Sequence, residues 1–218
     1  QYPINGSLLE DLEALAQQED IRLSGLFLSV LKVLFYRYCG QEDICIICPN
    51  SNQEHNGLTL TNFLPLQSHL NDELSFKDFL KKVEILANEV AMHGEVSFDG
   101  IEQTMENENL PLHQVMFALI QDESAFSLDH EKEDFHISFI IEGLSDKPNI
   151  KIKYRSDLFL EETINRMARF YEYLLKSVVL IPNESVGKLP MLTASERVEL
   201  LEDFNQTRSD YSKNKTLV

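Results

Sequence analysis

Residues 37–49 read RYCGQEDICIICP, and the identity of this stretch as metal site, redox pair or core decides the fold. A C-x-x-C pair in a loop or at a helix start binds zinc or cycles a disulfide. Here Cys45 and Cys48 lie inside the apolar run ICIIC, which reads as a strand. Strand side chains alternate, so positions three apart point to opposite faces and cannot share one ion. The third cysteine, Cys39, has no second pair to complete a site. The thiols are therefore expected to serve as small buried hydrophobes. Before the strand, Gly40 stands where a helix wants a left-handed stop. Helix, glycine stop, QED turn and continuous apolar strand make an α/β unit, with the strand in a sheet covered on both faces.

Working outward, Leu26–Cys39 is apolar nearly all round except for a thin polar line at Ser29, Lys32 and Tyr36. That pattern predicts a helix buried on most sides. Upstream, Ser7 and Glu10 form a capping box ahead of LLEDLEALAQQ. Downstream, NSNQEHNG (50–57) predicts a loop. The segment Leu58–Leu70 follows, in which Pro65 restricts part to an edge strand or loop. Ser75 and Asp78 cap a helix whose apolar positions, Phe76 through Ala91, follow the 3.6-residue period to about His93. Residues 94–112 are acidic and irregular. Strands are predicted near His113–Gln121, Asp134–Glu142 and Ile150–Arg155, the last alternating with lysine so that one face meets water. A long helix near Glu161–Leu180 carries Ile164, Met167, Ala168, Tyr171, Leu174, Leu175 and Val178 on one stripe before Pro182. The fold class is mixed α/β in one domain, residues 1–188. Residues 189–218, with a short capped helix at Thr193–Glu196 and a polar tail, read as a linker toward a further domain.

The chain has 218 residues, 43% hydrophobic and 25% charged, with a formal net charge of −17. This excess of carboxylates repels phosphate backbones and argues against nucleic acid. The longest apolar run, Gly25–Tyr38, is interrupted by polar residues and too short to span a bilayer. No basic-then-apolar leader precedes it, and the chain reads as a cytoplasmic piece of something longer.

Several segments in order resemble the condensation domains of nonribosomal peptide synthetases. LKVLFYRYCGQEDICIICP (31–49) resembles the family's "LL-x-RYTGQEDI-x-VG-x-P", and LTNFLPLQ (60–67) its "FVNTLPLR". HGEVSFDGI (93–101) stands where the family has "HQDLPFEKL", and LPLHQVMFAL (110–119) resembles "NPLFQVMFVL". IKYRSDLFLEETINRMARFYEYLL (152–175) is similar to "YNTDLFDEATIERMAGHFQRLL", and LPMLTASERVELLEDFNQT (189–207) to the connector before an adenylation domain. The resemblance implies two lobes like chloramphenicol acetyltransferase, of which this chain is the C-terminal one. It implies amide formation between thioesters on the phosphopantetheine arms of carrier proteins, with no cofactor bound directly. The implied partners are the N-terminal lobe, a peptidyl carrier protein and an adenylation domain. The family's H-H-x-x-x-D-G motif belongs to the other lobe. No two histidines are adjacent in this chain. Amide formation needs the amine oriented and its proton managed, so this lobe alone is expected to be catalytically silent and to supply one channel wall.

The resemblance carries Asn62, Pro65, His93, Phe98 and Gln114 forward as channel or lobe-interface candidates. Asn62 either braces the channel floor or satisfies backbone groups near Pro65. His93, at a helix C-terminus, is favoured there by the dipole. Phe98 is expected in the core, and Gln114 to bond backbone or face the other lobe. His55, His69, His113, His130 and His136 lack partners at metal or triad spacing, and the charges at 122–134 read as a solvated loop. Gln67 replaces the family's arginine, and CPNSNQE its "GTPVAGR". These departures leave a divergent subtype and a degenerate lobe both open. A competing reading is a docking module that recruits a carrier protein without chemistry. An independent acyltransferase would need its own histidine motif.

Overall fold

The all-round apolar helix becomes the axis of the fold. The computed structural model describes residues 1–55, 58–92, 114–120 and 135–192, leaving aside the side chains of 50–62. In it α2 (Leu23–Cys39) is buried continuously from Gly25 to Tyr36. It packs against α1 (Gly6–Gln18), α3 (Phe76–Met92), α4 (Glu161–Leu180) and the sheet. Gly40 ends it at φ 67, ψ 20, its N–H donating to the Tyr36 carbonyl, as the sequence predicts.

The sheet has six strands: β1 (Tyr2–Pro3), β2 (Asp43–His55), β3 (Leu58–His69), β4 (Val115–Leu119), β5 (Ile137–Glu142) and β6 (Asn149–Tyr154). Their order is β1-β6-β5-β4-β2-β3. Strand β4 runs parallel to both β2 and β5, while β3, β6 and β1 are antiparallel to their neighbours. β3 lies at the sheet's edge, the place where Pro65, lacking an N–H, is tolerated. The helices share one face with Ile44, Ile46, Leu66, Phe117, Ile137, Phe139, Ile141 and Ile150. The opposite face carries a second buried cluster of Ile47, Phe63, Met116, Ala118, Ile120 and Ile140. The central run is thus apolar on both faces, as its lack of alternation implies. Cys48 packs with the first cluster and Cys45 with the second, so the two thiols do face apart. Both are only half-buried, and Cys39 is exposed.

Two local expectations change. The loop predicted at 50–57 is strand as far as His55: Asn50 pairs with Asn62, and Gln53 to His55 pair with Leu60 to Leu58 after a bulge. Polar side chains carry no strand signal, but the backbone of 58–62 supplies a partner ladder. The cap of α1 is Asn5, not Ser7: its Oδ1 accepts the Ser7 N–H at 3.0 Å and the Ser7 hydroxyl at 3.0 Å. β1 and the Ile4 N–H bond to the Pro148 carbonyl deliver the chain extended up to Asn5, which places the cap there. The polar line on α2 is buried with the rest of the helix, as a helix covered on most sides implies. Ser29 donates to the Gly25 carbonyl at 2.7 Å and the Tyr36 hydroxyl to Asp72 at 2.7 Å.

Ser75 caps α3 as expected, its Oγ accepting the Asp78 N–H at 3.1 Å and donating to Asp78 Oδ2 at 2.6 Å. The segment after α4 completes that cap. The Phe76 and Lys77 N–H groups donate to the carbonyls of Glu184 and Pro182. Arg37 donates to the carbonyls of Val186 and Leu189. Leu189 is buried, and Met191 packs against the core, so the described chain stays on the body that far. Among the described residues no helix is long and apolar enough to cross a membrane.

The β5–β6 turn depends on Gly143, at φ 70, where a Cβ would lie 2.4 Å from the Lys147 carbonyl oxygen. Gly143→Ala is expected to cost about 2 kcal/mol through left-handed strain and this contact. A fall in the urea midpoint at unchanged m-value would register it; an unchanged midpoint would show that the turn relaxes freely.

Candidate functional site

The β2–β3 hairpin organises the candidate site. Its register is Ile44↔Ser68, Ile46↔Leu66, Ile47↔Pro65, Cys48↔Leu64 and Asn50↔Asn62. Only at Ile47↔Met116 does β2 register with β4, so the hairpin from Asn50 onward has no other described strand beside it.

A cleft of about 270 Å³ lies where β2, β3 and β4 meet the start of α2 and the end of α3. Leu28, Cys48, Leu64, Leu66, Val90 and Phe117 give it apolar walls, and Arg22 and Ser24 also line it. Arg22 is held by Glu84, Nε to Oε1 at 2.7 Å, and by Asn88 Oδ1 at 2.8 Å. The other Glu84 oxygen, Oε2, is buried without a hydrogen-bond partner. It leans over Gly25, where a Cβ would sit 2.4 Å away. Among the described residues the cleft offers shape and mixed polar and apolar contact but no ready nucleophile. Burial pushes the Cys48 thiol up to about 12, against the opposing pull of Lys32, and a protonated thiol is a poor nucleophile beside its thiolate.

Beneath the cleft is a group that side-chain type alone does not reveal. Lys32 is fully buried. Its Nζ donates to the Leu66 carbonyl at 2.6 Å, the Ser68 hydroxyl at 2.9 Å and the Ile44 carbonyl at 3.3 Å. Desolvation lowers its pKa to about 8, with the Cys48 and Cys45 thiols pulling the other way. The signal that points to it is compositional. A polar line on a helix that is apolar on every other side has no water to face, so each member needs an internal partner.

The five carried-over residues fare differently. Asn62 lies in β3 opposite Asn50, two positions along the strand from Leu64; its side chain is outside the described part. Pro65 is half-buried opposite Ile47. Gln114 stands just before β4 with an exposed side chain, its carbonyl accepting the Ile137 N–H at 3.0 Å. Neither Pro65 nor Gln114 lines the cleft. His93 and Phe98 lie outside the described residues, as do the 122–134 charges, His113 and His130. His69 sits on the exposed hairpin base, with Nδ1 3.1 Å from the equally exposed Asp43 Oδ1. Among the described residues no group of three or more His, Cys, Asp or Glu could hold a metal ion.

Comparison with known proteins adds independent support. A linear gramicidin synthase of Brevibacillus parabrevis is 30% identical over 97% of this chain, which spans 4% of that protein. A crystal structure of a four-domain nonribosomal peptide synthetase bound to AMP and glycine superposes over 90% of this chain and 18% of its own. Its TM-score is 0.78 at 16% identity. The first condensation domain of the CDA synthetase covers 88% of this chain at TM-score 0.74 and 11% identity, and the chain spans 48% of it. The mixed sheet with helices is thus the chloramphenicol acetyltransferase-like fold that condensation domains have. The model of the condensation domain family matches residues 3–201, and the chain belongs to that family.

Proposed function

We propose that the chain is the C-terminal lobe of a condensation domain, residues 1–188, followed by a linker (189–218) toward an adenylation domain. In this reading it works in the cytoplasm as one wall of a channel. There an acyl or peptidyl thioester meets an aminoacyl thioester, each on the phosphopantetheine arm of a carrier protein, and an amide bond forms. The amine attacks the thioester carbonyl, the carbon–sulfur bond breaks, and the proton lost by the nitrogen ends on the departing thiolate, which leaves as the thiol while the amide forms. The catalytic H-H-x-x-x-D-G histidine comes from the N-terminal lobe. This chain contributes walls and surfaces, with the β2–β3 hairpin, which carries Asn62, bordering the channel.

The observation that carries the reading is coverage. The chain matches 88% of itself to 48% of a solved condensation domain, and its six histidines include no adjacent pair.

The test is a condensation assay with acyl-loaded and aminoacyl-loaded carrier proteins, read by intact mass of the acceptor carrier. The 218-residue chain alone is expected to leave both carriers unchanged. Joined to the lobe bearing the histidine motif, it is expected to yield the amide on the acceptor. Turnover by the chain alone overturns the half-domain reading. Carrier binding without turnover by the joined protein would favour the docking-module alternative.

A further inference from the structure

We propose that Lys32 is a positioning residue whose ammonium, planted on α2, sets the register of β3 against β2 and so the placement of the hairpin's outer half. The inference rests on the proposed function only in its last consequence, that the placed hairpin matters for condensation.

The anchor is rigid. α2 is buried from Gly25 to Tyr36, and Lys32 is fully buried within it. All three N–H bonds of the ammonium reach the hairpin base: one acceptor is Ile44 on β2, and two, Leu66 and Ser68, are on β3. Ile44 lies opposite Ser68 and Ile46 opposite Leu66, so a single nitrogen spans two rungs on the same face. Carbonyls recur at every residue, but the hydroxyl does not. A two-residue slip of β3 would bring Leu66 or Leu70 to the place of Ser68, and a one-residue slip would turn the hydroxyl to the other face. Ser68 therefore makes the contact specific to one register.

Stability does not account for this lysine. Its neighbours along the helix are Leu31, Val33 and Leu28, all core, and none of its hydrogen-bond partners is a carboxylate. Burying an unpaired charge costs free energy that a methionine of similar length would not. Charged groups retained at such a cost are best attested in fixing register. The hairpin needs such a device. Beyond Ile47 the described β4 gives it no further register partner, and a bulge follows between Asn50 and Gln53.

The experiment compares Lys32→Met and Ser68→Ala with the unmodified 218-residue chain by thermal unfolding and residue-resolved amide hydrogen exchange. Lys32→Met is expected to keep or raise Tm while exchange in 50–55 and 58–62 quickens about tenfold and α4 stays unchanged. Ser68→Ala, which keeps the charge and both carbonyls, is expected to give a smaller effect in the same residues. It keeps the test readable should Lys32→Met fail to fold. Unchanged hairpin exchange in both variants overturns the proposal, as does exchange that rises equally in α4, the mark of general loosening. The same variants in the joined two-lobe domain address the link to function. A fall in kcat with little change in KM supports it. Localised hairpin exchange with undiminished kcat leaves Lys32 positioning the hairpin and removes the hairpin from the channel.

Discussion

Tyr171→Ala is expected to destabilise the fold by about 3–5 kcal/mol, lowering Tm by roughly 10 °C. Tyr171 is fully buried on α4. Its hydroxyl donates to the Phe27 carbonyl of α2 at 2.9 Å. Its ring meets Phe139 of β5 edge-on, centroids 5.6 Å apart, and Phe139 meets Phe35 of α2 at 6.1 Å. One residue thus joins two helices and the central sheet, and truncation leaves a cavity that three rigid elements cannot collapse into. Against a typical total of about 5–15 kcal/mol, such a loss takes many domains to the edge of unfolding. Tyr171→Phe keeps the rings and removes only the hydrogen bond, for about 1 kcal/mol. Urea unfolding of the pair separates the terms. Equal losses in the two variants would mean that the hydroxyl, not the packing, dominates.

The second large effect is alkaline. Burial holds the Cys48 thiol up to about 12, from an ordinary value of 9.0. Between those values the native state keeps a proton that the unfolded chain has released, so this contribution is complete below about pH 9 and is lost as pH rises. Lys32 has the opposite sign. Its native value of about 8 lies below the ordinary 10.5, so the unfolded chain binds more protons in that window and stability rises across it. Above about pH 10 Tyr36 adds to the loss, its phenol held up to about 12 chiefly by the hydrogen bond to Asp72. The native chain is therefore expected to gain from about pH 8 to 9, stay nearly level to about pH 10 and weaken steeply beyond. Cys48→Ala removes one contribution. Its stability relative to the native chain should improve by about 1.4 kcal/mol per pH unit above about pH 9, reaching about 3 kcal/mol by about pH 11. Parallel pH profiles for the two proteins would show that the thiol titrates normally.

Elements with short-range causes were legible. The 3.6-residue stripe of Glu161–Leu180 falls on α4 residue for residue, because an amphipathic helix writes its buried face into its own spacing. Gly40 and the Ser75–Asp78 cap were equally readable, since one backbone conformation and one hydroxyl decide them. The opposite faces of Cys45 and Cys48 followed from strand alternation, and that removed the metal reading of the opening stretch. The ordered motifs carried the family and fold, which the condensation-domain match over 3–201 bears out. The candidate site was less readable. The five carried-over residues are spread over separate segments of the chain, while the cleft is built from Leu28, Cys48, Leu64, Leu66, Val90 and Phe117, apolar residues that look like any core.

What the chain's own order of residues determined is the set of elements, their buried faces and the family they spell, because each rests on contacts within a few positions. Tertiary structure alone decided that NSNQEH continues a strand, that Asn5 rather than Ser7 caps α1, and that Lys32 is enclosed with three oxygens instead of reaching water. Each of those outcomes depends on a partner distant in sequence: the 58–62 ladder, the β1–β6 pairing, and Leu66 and Ser68, which stand 34 and 36 residues beyond Lys32. A polar side chain records that it needs a hydrogen bond; only the folded backbone says whether water or protein provides it.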